Sequence, residues 1–188
     1  GLAANLYYAR PDQAPDSPYL NRAGERVLPP YRIIEVGGAR IGILGFTTDR
    51  GPQAIGDQAT RGFVFTKGDR EVETLVPHLR QVEKVDAVIM ISELGLANNV
   101  RLADAHRGID VILSSDMHEE TARPVVSRHR TIIVEEGQDG SVLGEITLTI
   151  GAGGVSGLEW QFHQIDAGID ENERVAAHVA EVRRTFVS

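Results

Sequence analysis

Ile109-Asp110-Val111-Ile112-Leu113-Ser114-Ser115-Asp116-Met117-His118 joins a short apolar run to a polar tail. The run reads as a buried strand of a sheet, and the tail as its exit. In open α/β sheets, ligands collect beyond the carboxyl ends of the strands. A carboxylate and an imidazole two residues apart at such an end can point into one crevice, which suits a metal better than a packed core. A second strand, Asp86-Ala87-Val88-Ile89-Met90-Ile91, ends the same way in Ser92-Glu93-Leu94-Gly95. Glu93, Asp116 and His118 are therefore the candidate metal ligands.

Working outward, the segments around these strands alternate in type. Asp69 to Glu83 has helical spacing, with Val72, Leu75, Val76, Leu79 and Val82 on one face and Asp69 as the expected N-cap. A second helix is expected from about Leu96 to His106. This β-α-β-α-β order favours parallel pairing with right-handed crossovers. Upstream, Ala3 to Tyr8 resembles a short strand, and a proline-rich loop runs from Pro11 to Pro30. Tyr31 to Val36 and Arg40 to Phe46 read as a hairpin turned at Gly37-Gly38. Gly51 to Lys67 reads as irregular. Downstream, Thr131 to Val134, Ser141 to Ile150 and Gly157 to Ile165 read as successive antiparallel strands, the last two separated by Gly151-Ala152-Gly153-Gly154. Asp170 to Phe186 reads as an amphipathic helix capped by Asp170, with Val175, His178, Val179 and Val182 along one side.

The 188 residues suit one well-buried domain. A net charge of −8 without a basic run argues against nonspecific binding of nucleic acid or anionic membrane. Cysteine is absent, so the chain has neither a disulfide framework nor a thiolate metal site. No segment reaches the roughly 18 continuous apolar residues of a membrane span. The opening Gly1-Leu2-Ala3-Ala4-Asn5-Leu6 lacks the basic start of a signal peptide and reads as the inside of a domain, with coding sequence expected upstream.

Five blocks together resemble the calcineurin-like metallophosphoesterases, specifically the 5′-nucleotidase branch. Leu2-Ala3-Ala4-Asn5-Leu6 is similar to that branch's strand ending in Ala-Asn. Gly38 to Thr48 resembles its glycine-punctuated strand, and Glu136 to Gly144 its glycine-rich hairpin. Val85 to Gly95 stands in the place of its Ser-His-Leu-Gly motif, with Glu93 at the histidine. Ile109 to His118 stands in the place of Gly-His-x-His, with Ser115 at the glycine, Asp116 at the first histidine and His118 kept. The family's Asp-x-His, bridging Asp and Asn-His-Glu motifs are not found in these residues. The resemblance implies a partial four-layer α-β-β-α fold, a mixed β-sandwich flanked by helices. Residues 1–168 would form the second half of the metallophosphoesterase domain. Residues 169–188 would form a helix linking to a further domain.

The same resemblance implies two divalent metal ions, with His118 serving one and Glu93 and Asp116 the other. Oxygen ligands favour harder ions, so Mn²⁺ or Mg²⁺ is expected ahead of Zn²⁺. The implied substrate is a small phosphoester such as a nucleotide, the implied compartment periplasmic or extracellular, and the implied partner the N-terminal half of the domain. A sulfate-ester or thiosulfonate hydrolase on the same fold remains open, as does a non-catalytic binding module. From position alone Asp116 and His118 equally suit the capping of a turn, and Glu93 the start of a helix. Glu119 and Glu120 read as solvated. His78, His106, His129, His163 and His178 lack any partner spacing and read as surface or helix-face residues. Asn98-Asn99 read as a substrate-facing pair or a helix start. Gly42 and Gly45 lack the spacing of a dinucleotide loop.

Overall fold

Residues 1–151 and 153–187 are described by a computed structural model. Along the chain, β1 (Leu6–Tyr8) precedes the hairpin of β2 (Tyr31–Val36) and β3 (Ala39–Phe46). The turn uses Gly37 and Gly38 at φ of 58° and 86°, a region that glycine enters without a Cβ penalty. Two short helices, α1 (Gly51–Ile55) and α2 (Asp57–Thr60), lead to β4 (Phe63–Phe65), which pairs antiparallel with β1. Then α3 (Asp69–Gln81), β5 (Ala87–Ser92), α4 (Leu96–Ala105) and β6 (Val111–Ser114) alternate. The short strands β7 (Val125–Val126) and β8 (Ile132–Val134) follow, then the two-stranded ribbon of β9 (Val142–Gly151) and β10 (Gly154–Gln164). The last element is α5 (Glu173–Phe186).

The main sheet has six strands in the order β2-β3-β5-β6-β8-β7. Its inner pairs are parallel and its two edge pairs antiparallel. The register aligns Leu44, Met90, Ile112 and Ile133 in one row, all fully buried. That row packs with Val72, Leu75, Val76 and Leu79 of α3 and Leu102 and Ala103 of α4 in a single core. Burying a side chain of this size stabilises by roughly 1.5–3 kcal/mol, so these positions decide the pairing. On the opposite face Ile91 and Leu113 remain exposed by 50% and 37%. Asp110 fastens the arrangement: its carboxylate accepts from the Val88 N–H at 2.7 Å and pairs with the Arg80 guanidinium.

Several expectations from sequence are corrected. Ile132–Val134 is not the first of three successive antiparallel strands. It lies parallel to β6 because Thr131 Oγ1 donates to the Ile109 carbonyl and the Ile132 N–H to that of Asp110. The loop from residue 115 to residue 131 is long enough to bring the chain back for a parallel pass. Gly51 to Lys67 is not all irregular, since it holds α1, α2 and β4. The N-cap of α3 is Gly68, at φ 91°, where a Cβ would come within 2.9 Å of Phe46; Asp69 is already helical. Asn172 caps α5 by accepting from the Val175 N–H at 3.2 Å, in place of Asp170. His78 and His163 have partners, since Tyr31 Oη lies 3.1 Å from His78 Nε2 and Glu145 lies 3.0 Å from His163 Nε2. The expected turn residue Ala152, and Ser188 at the end of the expected linker helix, lie outside the described residues. No helix among those described is long and apolar enough to cross a membrane.

Candidate functional site

The row that begins with buried apolar side chains turns polar at the carboxyl end of the sheet. One register step beyond Met90 and Ile112 come Ser92 and Ser114, on the same face and both buried. Ser92 Oγ donates to Asn99 Oδ1 at 2.7 Å, and Asn99 Nδ2 donates to Ser114 Oγ at 2.9 Å. Ser114 Oγ in turn donates to Glu135 Oε2 at 2.6 Å, and Glu135 Oε1 accepts from the Glu119 N–H at 3.1 Å. Glu135, only 1% exposed, thus holds the strand end and the loop beyond it from behind. Thr121 closes the same clamp, exchanging hydrogen bonds with the Glu135 backbone through its hydroxyl and its N–H. Asn99 therefore ties two strand ends together. It stands in the first turn of α4, as the helix-start reading expected, and its amide is spent on these contacts.

The tails that leave β5 and β6 are fastened side by side. The Ser115 N–H donates to the Ser92 carbonyl at 2.8 Å, and the Gly95 N–H to the Ser115 carbonyl at 3.1 Å. Gly95 sits at φ 75°, and a Cβ there would meet Met117 Cγ at 3.2 Å, so the two tails approach as closely as glycine permits. Asp116 and His118 both take positive φ, 108° and 56°, which a non-glycine residue adopts at a cost. The Glu135 clamp holds the loop beyond them in place.

Glu93 is exposed, and its carboxylate accepts from Thr47 Oγ1 at 3.3 Å. Thr47 is itself gripped by Asn5, which accepts from the Thr47 N–H at 2.9 Å and donates to the Thr47 carbonyl at 2.8 Å. Asp116 is mostly covered, and its carboxylate meets Arg50 Nη2 at 2.5 Å. The same Nη2 lies 2.8 Å from Met117 Sδ. Sequence reading passed over Arg50, Asn5 and Glu135 as site-building residues. Only the Ala-Asn pairing of the first strand carried any signal, and it concerned Asn5 alone.

Glu93, Asp116 and His118 thus lie on neighbouring strand ends. Their donor types suit a hard divalent ion, but their arrangement does not by itself: among the described residues no three His, Asp or Glu side chains are placed to hold one. Asp116 is turned to Arg50 instead. Nearby, burial raises the Glu136 carboxyl above its ordinary value, and the adjacent Glu135 adds to the shift. A cleft of about 1010 Å³ opens elsewhere, between β1, β4 and the start of α3, and none of the three candidates lines it.

No family model matches the chain. It is similar to the trifunctional nucleotide phosphoesterase YfkN of Bacillus subtilis, 24% identical over 143 residues, or 73% of this chain and 10% of that protein. The matched stretch covers only 10% to 20% of each of the curated relatives, so the chain spans a minor part of their length. Among solved structures, a Thermus thermophilus sulfate thiohydrolase, SoxB, superposes at a TM-score of 0.85 with 25% identity, covering 98% of this chain and 32% of that one. A 5′-nucleotidase precursor from Thermus thermophilus superposes at 0.72 with 20% identity, covering 98% and 38%. The fold is shared with all three, YfkN superposing at 0.74 as a calcineurin-like phosphoesterase.

Proposed function

We propose, from the premise that the homologues and structural neighbours of this chain are calcineurin-like phosphoesterases and 5′-nucleotidases matching a C-terminal half of their domain, that it forms part of a hydrolase of 5′-nucleotidase type. The observation that carries the reading is the pair of strand-end tails after β5 and β6. They are zipped together, held from behind by Glu135, and furnished with Glu93, Asp116 and His118. Residues 1–168 would contribute half of the catalytic domain, with 169–188 leading away from it. Divalent ions of the Mn²⁺ or Mg²⁺ type belong to the reading, and the two carboxylates and the imidazole are the donors this chain would offer. The substrate class is a small phosphoester, a nucleotide by analogy with the relatives, and the compartment periplasmic or extracellular.

A second reading, hydrolysis of a sulfur-containing ester, is favoured by the likeness to SoxB, which is the higher of the two Thermus matches in both identity and superposition. The deciding experiment assays the full-length protein with added Mn²⁺ against nucleoside monophosphates, a generic phosphodiester and a thiosulfonate. Turnover of the phosphoesters that falls at least about a hundredfold in His118→Ala supports the first reading. Turnover of the thiosulfonate alone selects the second. A protein inert towards all three, yet folded, is a binding module.

A further inference from the structure

The cleft of about 1010 Å³ between β1, β4 and the start of α3 is lined by four cations, Arg10, Arg26, Lys67 and Arg70. In a chain of net charge −8, none of the four is ion-paired among the described residues. The carboxylates of the same lining are engaged already. Glu25 pairs with Arg22 at 3.0 Å and Asp69 with Arg101 at 2.6 Å, while Glu71 Oε1 accepts from the Tyr7 hydroxyl at 2.7 Å. Arg26 is held in place, its Nε donating to the Ala4 carbonyl at 3.0 Å and its Cζ standing 5.4 Å from the centre of the Tyr7 ring. The wall also contains two polar atoms that the chain leaves unserved. Glu71 Oε2 and Thr66 Oγ1 are buried without a hydrogen-bond partner among the described residues, and Glu71 is only 2% exposed. An unpaired buried polar atom is costly to a fold, so each points to a missing partner.

We propose that this cleft binds a small phosphorylated polyol of the sugar-phosphate class, its phosphate on the cations and its hydroxyls on Thr66 and Glu71. The two sets of groups make different demands. Guanidinium forks and an ammonium select a phosphate through charge-assisted hydrogen bonds. Glu71 Oε2 accepts only, so it needs a donor, and a hydroxyl supplies one where a second phosphate would bring repulsion. Inorganic phosphate meets the first demand alone and a neutral sugar the second alone. The volume is ample for both parts of one ligand. The site shares no residue with Glu93, Asp116 and His118, so the proposal does not rest on the reading of the strand ends.

The test is isothermal titration calorimetry on the full-length protein carrying His118→Ala, a background chosen so that the proposed hydrolysis does not consume the probe. Glucose 6-phosphate, inorganic phosphate and glucose are each titrated into that protein and into the same protein with Arg26→Gln, Arg70→Gln or Thr66→Val added. Glucose 6-phosphate should bind at least about tenfold more tightly than either fragment, and each arginine variant should weaken it about tenfold. Thr66→Val should weaken glucose 6-phosphate and leave inorganic phosphate unchanged. Arg70 is exposed and Thr66 Oγ1 has no partner to lose, so both variants keep the test free of unfolding. Glucose 6-phosphate binding no tighter than inorganic phosphate overturns the proposal. So does unchanged binding of glucose 6-phosphate in Arg70→Gln or Thr66→Val, or the absence of binding in a protein whose circular dichroism is that of the parent.

Discussion

Ser114 and Glu135 meet at 2.6 Å, hydroxyl to carboxylate, at the point where the apolar row of the sheet gives way to the loop bearing Asp116 and His118. Glu135 is buried, and it also receives the Glu119 N–H. Glu135→Ala removes both acceptors, leaving the proton of the buried Ser114 hydroxyl and the Glu119 N–H without the acceptors they have in the parent. The expected cost is about 1–3 kcal/mol in urea unfolding, with faster amide exchange in residues 115–121. Glu135→Gln keeps one good acceptor and should cost less. Equal stability of the alanine variant and the parent would show that the clamp does not matter.

Asn5 spans three strand ends. It exchanges two hydrogen bonds with Thr47 and donates a third to the Thr66 carbonyl at 3.0 Å, with no surface exposed. Asn5→Ala should lower stability by about 3 kcal/mol, near the upper range for a buried polar network. Asn5→Asp keeps the acceptor but points a carboxylate at two carbonyls, so it should not rescue. Chemical denaturation of both variants decides the matter.

Asp69 is held below the usual carboxylate range, chiefly by its hydrogen bonds to Arg101, against an opposing push from burial. A depressed folded value means that the stabilisation is present above the unfolded value near 4 and is lost as pH falls through the folded one. Asp69→Asn should therefore narrow the gap between melting temperatures at pH 7 and pH 3. The pair is half exposed, so the effect should stay below about 1 kcal/mol. A parent and variant with parallel acid profiles would refute this.

Glu136 behaves in the opposite sense. Its carboxyl is raised by burial and then by Glu135, so its ionisation opposes folding. The favourable contribution is complete below the ordinary glutamate value and disappears as pH rises through the folded value. Glu136→Gln should raise the melting temperature at pH 7 and leave it unchanged near pH 4. Partial exposure limits the gain to less than about 1 kcal/mol.

The parallel core was legible because its strands are apolar on both faces and separated by helices of clear periodicity. Asp86 to Ile91 and Ile109 to Leu113 announce themselves. Ile132–Val134 was legible as a strand but not in direction, since three residues carry no sign of which neighbour they will meet. Phe63–Phe65 and Val125–Val126 were hidden by their shortness; they exist only because a partner strand is already in place. The candidate residues Glu93, Asp116 and His118 could be found from the strand ends, and the structure brings those ends together. Arg50 could not: its role depends on β3 and β6 flanking β5, a fact of topology with no local signature. Glu135 was likewise hidden, because an isolated glutamate after an apolar run looks like a solvated strand exit.

The pairing of β5 with β6 is decided by side chains one or more steps upstream of Glu93 and Asp116. The sheet therefore works as a socket, and the residues of the two tails are fittings that plug into it. A change of side chain at either tail therefore leaves the frame intact. The frame and the tails are thus separable in stability, and likeness of the frame alone does not fix the chemistry at its edge.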